Sequence, residues 1–257
     1  MMQSGTLSQT GVLTWRLLLR AARTPMTFVH GVALPASFLV TLKVVFGDSL
    51  TAMTSENSLY RSAALAALIS AMSGSSTGMV GIAAERSSGL LARMWALPIS
   101  RTAGLAARLA AETARLILTT LAILAAGFGL GFRFHRGLGG ALLWVAVPVV
   151  FGVAVAALAT AAALQWPRPL MVEATQPVIV LGATFCTGFV PLDCYPDWVQ
   201  PAVRLQPMSL AADAMRGASA GGPVAAPLTG FLLWSAGLIL VCLWPIVRGY
   251  RRASTSR

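Results

Sequence analysis

Six apolar blocks, each on the order of twenty residues long, occupy roughly 27–47, 59–84, 113–131, 139–164, 170–190 and 228–247. An apolar helix of that length crosses the hydrocarbon core of a bilayer. Once there, its backbone must be satisfied internally, which leaves helices as the spanning elements. Of the 257 residues, 56 % are hydrophobic and only 11 % are charged, and the mean hydropathy is +0.75. A soluble domain of this length needs far more charge to cover its surface. The sequence therefore predicts an all-α polytopic membrane protein with six transmembrane helices in one domain, residues 1–257.

The formal charge is +11, and Lys43 is the sole lysine beside eighteen arginines. A nucleic-acid module carries its basic residues on a polar, soluble surface. Here they lie between apolar blocks, where anionic lipid headgroups are the neighbours, so no nucleic-acid partner is expected. Orientation follows from the basic residues. With the N-terminus cytoplasmic, thirteen arginines fall in inside segments and five (Arg61, Arg133, Arg136, Arg204 and Arg216) outside. That imbalance predicts both termini inside, at the plasma membrane. Arg133 and Arg136, in the outer turn GFRFHRG, run against the trend. His135 in that turn is expected to be solvated or to face headgroups. No signal peptide is apparent, so the first span is expected to direct insertion.

Residues 10–24 place Arg16, Arg20 and Arg23 on one helical face, with Val12, Leu13, Leu17 and Leu19 over much of the rest. Such a segment lies in the cytoplasmic interface rather than crossing it, and Pro25 turns the chain into the first span. A second basic row, Arg86, Arg93, Arg101, Arg108 and Arg115, runs between the second and third blocks. Pro98 disfavours helix at Leu97. The row is thereby divided into a helix over 85–97 and another from Ser100, a good N-cap. Leu90, Leu91, Met94, Trp95 and Leu97 give the first helix an apolar side. Two readings stand: a solvated loop on lipid headgroups, or a docking helix for a soluble partner.

In the second block Ala66, Ser70, Gly74 and Gly78 recur every four residues, as do Ala63, Ala67, Ala71 and Ser75. Small residues at this spacing let helices approach closely in lipid, within one chain or between subunits. Lys43 is expected to snorkel to the outer interface. Glu173 and Gln176, at the start of the fifth block, are candidates for a transport path. The alternative reading of Glu173, a solvated carboxylate at the cytoplasmic edge, is the favoured one. No other buried charge is evident. After the fifth block, residues 191–227 hold Pro191, Pro196, Pro201, Pro207, Pro223 and Pro227, which break the segment into short pieces. SLAADAMRGA (209–218) is expected to form a helix with Ser209 as N-cap and Gly217 as its stop.

Catalytic and cofactor chemistry finds little support. GxSxG occurs twice, around Ser76 inside a span and around Ser219 in a polar outer loop. Neither is the strand-to-helix elbow that a serine hydrolase requires. No Cys/His set has metal-ligand spacing. Cys186 and Cys194, eight apart near the outer surface, have spacing that permits a disulfide, although Cys186 is expected to lie within the span. A phosphate-binding loop needs a lysine, and the sole one lies within a span, so no nucleotide site or catalytic residue is expected in this chain.

The runs AAERSSGLLARMWALPISR, LGFRFHRG and GFVPLDCYPDWVQPAVRLQPMSLAADAMRG resemble the membrane subunits of type-2 ABC exporters. Within that group the chain is similar to the daunorubicin-resistance (Drr) permeases, and its ending GYRRAS is similar to the DrrC branch. The resemblance implies a six-span permease without its own nucleotide site. It implies two permeases, alike or unlike, each docked on an ATPase subunit that holds Mg-ATP. It carries ATPase coupling onto Glu85, Arg86, Gly89, Leu90, Arg93 and Pro98, with the N-terminal interfacial helix contributing. It makes 191–227 an extracellular gate region that includes Gln206, Pro207 and Arg216. Related permeases often carry Asn where this chain has Gln206, and the longer side chain puts a capping role there in doubt. The implied cargo is an anthracycline-type drug or a complex envelope lipid such as phthiocerol dimycocerosate. A non-transporting membrane scaffold for lipid-handling enzymes is the alternative.

Overall fold

The computed structural model describes residues 29–54, 58–87, 101–165 and 180–255, together with Gly11, Thr14, Leu19 and Pro177. Its described residues are almost entirely helical. A π-helical turn, Val29–Ala33, leads into α1 (Leu34–Thr54). Then come α2 (Ser58–Ser87), α3 (Arg101–Gly129) and α4 (Gly137–Gln165). Residues 180–184 are the helical end of the fifth apolar block. A single 3-10 turn (Leu192–Cys194), α5 (Gln200–Leu205), α6 (Pro207–Ala220) and α7 (Ala225–Thr255) complete the order.

Three described stretches are long and apolar enough to cross a bilayer: Leu109–Gly129, Gly137–Ala162 and Ala225–Pro245. Leu34–Val45 is a shorter apolar helix. The chain is an all-α polytopic membrane protein.

Helix α2 is the hub, packed by α1, α3, α4 and α6. From Ser62 to Leu68 every side chain is buried. Ordinary amphipathic helices bury one stripe; this one is surrounded. The small side chains explain how. Ala63, Ala64, Ala66, Ala67 and Ala71 leave neighbouring helices room to close on it from several directions. Helix α7 is the opposite case, presenting Leu233, Trp234, Leu240, Val241 and Trp244 outward as a lipid-facing side would.

An aromatic cluster seals one end of the bundle. Gly131, at φ 95°, turns the chain after α3 and drives Phe132 inward. The Phe132 ring lies 5.0 Å from Tyr60, 5.1 Å from Phe134 and 5.6 Å from buried Trp144. Tilted and edge-on contacts of this kind add to the area the rings bury.

Two expectations about element boundaries need correction. Helix α2 does not stop at residue 84; it continues unbroken to Ser87, so Glu85 and Arg86 form its last turn rather than the start of a separate helix. Helix α3 begins at Arg101 and runs on through the third apolar block. Finally, the helix expected at 209–218 spans Pro207–Ala220. Pro207, with φ pre-set, occupies its first turn, and extended Gln206 is its N-cap. The helix passes through Gly217 and ends at Gly221, whose φ of 90° needs no Cβ. Gly217 instead lets the Pro223 carbonyl approach, where a Cβ would lie 2.5 Å from its oxygen.

Candidate functional site

The polar side chains gather at one end of the bundle, around the close of the fifth apolar block. The helix there unwinds after residue 184. Unwinding orphans the last carbonyls, which must find donors if they lie in or near the membrane. Three side chains from elsewhere supply them. Tyr195 Oη donates to the Thr184 carbonyl at 3.0 Å and approaches that of Cys186 at 3.4 Å. Gln206 Nε2 donates to the Phe185 carbonyl and reaches that of Gly182 at 3.4 Å. Arg61 Nη1, from the first turn of α2, donates to the Thr187 carbonyl at 3.2 Å.

Thr187 is also tied to α6. Its amide donates to Ser209 Oγ at 3.2 Å, and its hydroxyl donates to Asp213 Oδ1 at 3.1 Å. Asp213 in turn pairs with Arg216 at 3.5 Å. Ser209 is fully buried and accepts from Gln206 Nε2 at 3.0 Å. Gln206 is the N-cap by backbone conformation, but its side chain makes no capping hydrogen bond. Its extra methylene carries the amide back to the end of the preceding span. Burial, helped by the Cys186 and Cys194 thiols, raises the Tyr195 phenol above its ordinary value, so it stays a donor across physiological pH.

The turn after α3 fastens to the same end. His135 is exposed, yet its backbone N–H donates to the Ser219 carbonyl at 3.0 Å, and its Nδ1 lies 3.1 Å from that oxygen. Arg136 Nη2 donates to the Gly222 carbonyl at 2.9 Å. This accounts for one of the two arginines that ran against the inside bias: Arg136 holds the carbonyls where α6 ends. Ser219 is buried, and its hydroxyl bonds the Met215 carbonyl one turn back at 2.9 Å. The second GxSxG therefore sits in the last turn of a helix and the turn after it, not in a loop. Cys186 is buried, Cys194 is exposed, and both are free thiols.

A second polar site lies inside the bundle. Glu112 and Arg115, one turn apart on α3, pair at 3.1 Å through Nε and 2.5 Å through Nη2. Their side chains are only 18 % and 12 % exposed. The guanidinium lies against Gly74 of α2, where any Cβ would collide with it. Arg115 had been placed with the solvated cytoplasmic row, and no buried charge was expected near this path. Both expectations are corrected here: the pair falls within the membrane-length stretch of α3. Burial is tolerable because the charges cancel at contact distance.

Of the residues singled out from sequence, Ser70 is buried within this chain's own bundle, as is Gly74. Gly78 lies further along α2. Gln206, Pro207 and Arg216 come together with the end of the fifth block. Glu85 and Arg86 mark the opposite end of α2. Gly89, Leu90, Arg93, Pro98, Arg16, Arg20, Arg23, Glu173 and Gln176 lie outside the described residues. In the N-terminal segment Thr14 is placed: its hydroxyl donates to the Ala107 carbonyl of α3 at 3.3 Å. The site includes Arg61, Tyr195, Thr187, Ser209 and Asp213, none of which the sequence singled out as a gate residue. Their partners lie as far as 126 residues away, and no local pattern signals them.

An all-helical bundle with membrane-length apolar helices and a polar clamp where the fifth apolar block unwinds defines a polytopic membrane protein. The chain belongs to the ABC-2 type transporter family, whose model matches residues 8–219. Among characterised relatives, it is 44 % identical over 248 residues to the probable doxorubicin resistance ABC transporter permease protein DrrC of two Mycobacterium tuberculosis strains, covering 96 % of this chain and 90 % of the relative. It is 26 % identical over 227 residues to the daunorubicin resistance ABC transporter permease protein DrrB1 of Streptomyces coeruleorubidus, covering 88 % and 77 %.

Proposed function

We propose that this chain is the permease subunit of an ATP-driven exporter that moves a lipophilic compound outward across the plasma membrane. The observation that carries this reading is the 44 % identity, over nearly the whole chain, to a permease named for doxorubicin resistance. Cargo of that kind, an anthracycline-type drug or a complex envelope lipid, suits a bundle whose buried charges neutralise each other. The family implies an ABC ATPase partner and a second permease subunit. In this reading two ATPase copies bind Mg-ATP, and the second permease is a like or unlike chain. Both termini and the 85–97 segment face the cytoplasm.

The coupling end is the segment led by Glu85 and Arg86. ATP binding by the partner would move that segment, and α2 would carry the motion inward. The test is reversal of charge, Arg86→Glu with Arg93→Glu, in the transporter reconstituted with its ATPase and any second permease. Loss of ATPase association and of cargo-stimulated turnover is expected. Persistence of both rules out the docking role.

A further inference from the structure

The clamp on the fifth span has an asymmetry. Tyr195 and Gln206 belong to the segment that follows the fifth apolar block. Arg61 does not. It sits on α2, and α2 is one continuous helix from Ser58 to Ser87. A helix rises about 1.5 Å per residue, so Arg61 and Arg86 are roughly 38 Å apart on one rod. The outer end of that rod holds the Thr187 carbonyl at 3.2 Å. Thr187 in turn is bound to Ser209 and Asp213 of α6. One residue is thus the junction of three elements: the unwound end of the fifth apolar block, α6, and a helix that runs on to Ser87. Cys186, immediately before this junction, is 0 % exposed.

We infer that Arg61 is a positioning residue for transport: its guanidinium holds the outer end of the fifth span shut, and displacement of α2 releases the Thr187 carbonyl and opens the bundle beside Cys186. Strain is not required. A charge-assisted hydrogen bond at the end of a stiff lever is either made or lost, so a small tilt gives a two-state response. The freed carbonyls of 182–187 would then face water entering the exit path, the one setting besides protein burial in which unwound backbone is tolerated at membrane depth. The drive from the cytoplasmic end and the outward placement of the latch rest on the permease reading above; the bond from Arg61 to Thr187 does not.

Cys186 supplies the measurement. In a Cys194→Ser, Cys242→Ala background, full-length protein in right-side-out membrane vesicles is treated with a membrane-impermeant maleimide. Slow labelling is expected with Arg61 in place. Arg61→Met, which keeps the apolar stem and removes every donor, should label about tenfold faster. Arg61→Lys restores a cationic donor and should return the rate toward the starting value, which a loss of packing alone would not do. Labelling of Arg61→Met at the starting rate overturns the latch. If Arg61→Met does not accumulate, Arg61→Gln removes the guanidinium but keeps a polar head too short to reach the Thr187 carbonyl; faster labelling is expected, and an unchanged rate overturns the latch. A second arm adds the ATPase subunit and Mg-ATP to the Arg61 protein. Opening by Arg61→Met without opening by nucleotide leaves the latch standing and counts against the ATP-driven reading. Opening by nucleotide without opening by Arg61→Met overturns the latch alone.

Discussion

Glu112 and Arg115 show how a single pair can be costly to halve and cheap to remove. The two charges neutralise each other inside the bundle, and Gly74 supplies the space for the guanidinium. Removing one partner strands the other charge, at a cost of about 3–5 kcal/mol for a buried pair. Glu112→Ala should therefore lower the thermal unfolding midpoint of detergent-solubilised protein sharply. The double change Glu112→Leu with Arg115→Met should recover most of the loss, because it removes both desolvated charges together. Gln206 gives a gentler case. Its amide bonds the Phe185 carbonyl and Ser209 Oγ, so Gln206→Ala should cost about 1–2 kcal/mol, read in the same unfolding assay. The sequence pointed to Gln206 only through a family resemblance, which left a capping role there in doubt and did not indicate its partners. A helix cap is a local pattern and can be read locally. A side chain that reaches back 21 residues to bind another helix's end cannot.

At the level of elements, α2 was the most legible. Its small residues at four-residue spacing announced close helix contacts, and the structure places those contacts within the chain, on several sides at once. That distribution makes a prediction. Ala67 is fully buried, while Ala110 on α3 is exposed. Enlarging a residue in a close-packed interior costs about 1–3 kcal/mol. Ala67→Leu should lower stability by that order and Ala110→Leu should leave it nearly unchanged, compared by thermal unfolding in one detergent. The ends of elements were less legible. Pro207 in a first turn and Gly221 just past the end are ordinary boundary signals. The reading placed the stop at Gly217 because glycine at a helix end and glycine at a close approach look alike in one dimension. The run from α2 to Ser87 was missed for a related reason: apolar content ends near residue 84, but backbone hydrogen bonding does not end where lipid ends.

At the scale of the molecule, the segments assigned to the outer face by alternation gather at one end. Arg61, Phe132, His135, Thr187, Tyr195 and Gly222 meet there through side-chain and backbone contacts. Thr14 and Ala107, both on the side assigned to the cytoplasm, bond one another. The counts of basic residues use charge and the contacts use packing, and each of these contacts joins described segments that the charge count assigns to one side. Contacts fix which segments share a side without saying which side is outside; only the arginine asymmetry gives a direction. Reporter fusions decide it. Alkaline phosphatase, active only outside the cytoplasm, should be active when fused after Trp198 and inactive after Arg257. A cytoplasm-active fluorescent protein should give the reverse. Activity of the phosphatase at Arg257 would invert the topology and place the Arg61 clamp at the cytoplasmic face. The ATPase could not then dock at Arg86, and the exporter reading would fall with it. The same pair of fusions thus tests the orientation on which the gate and the coupling end both depend.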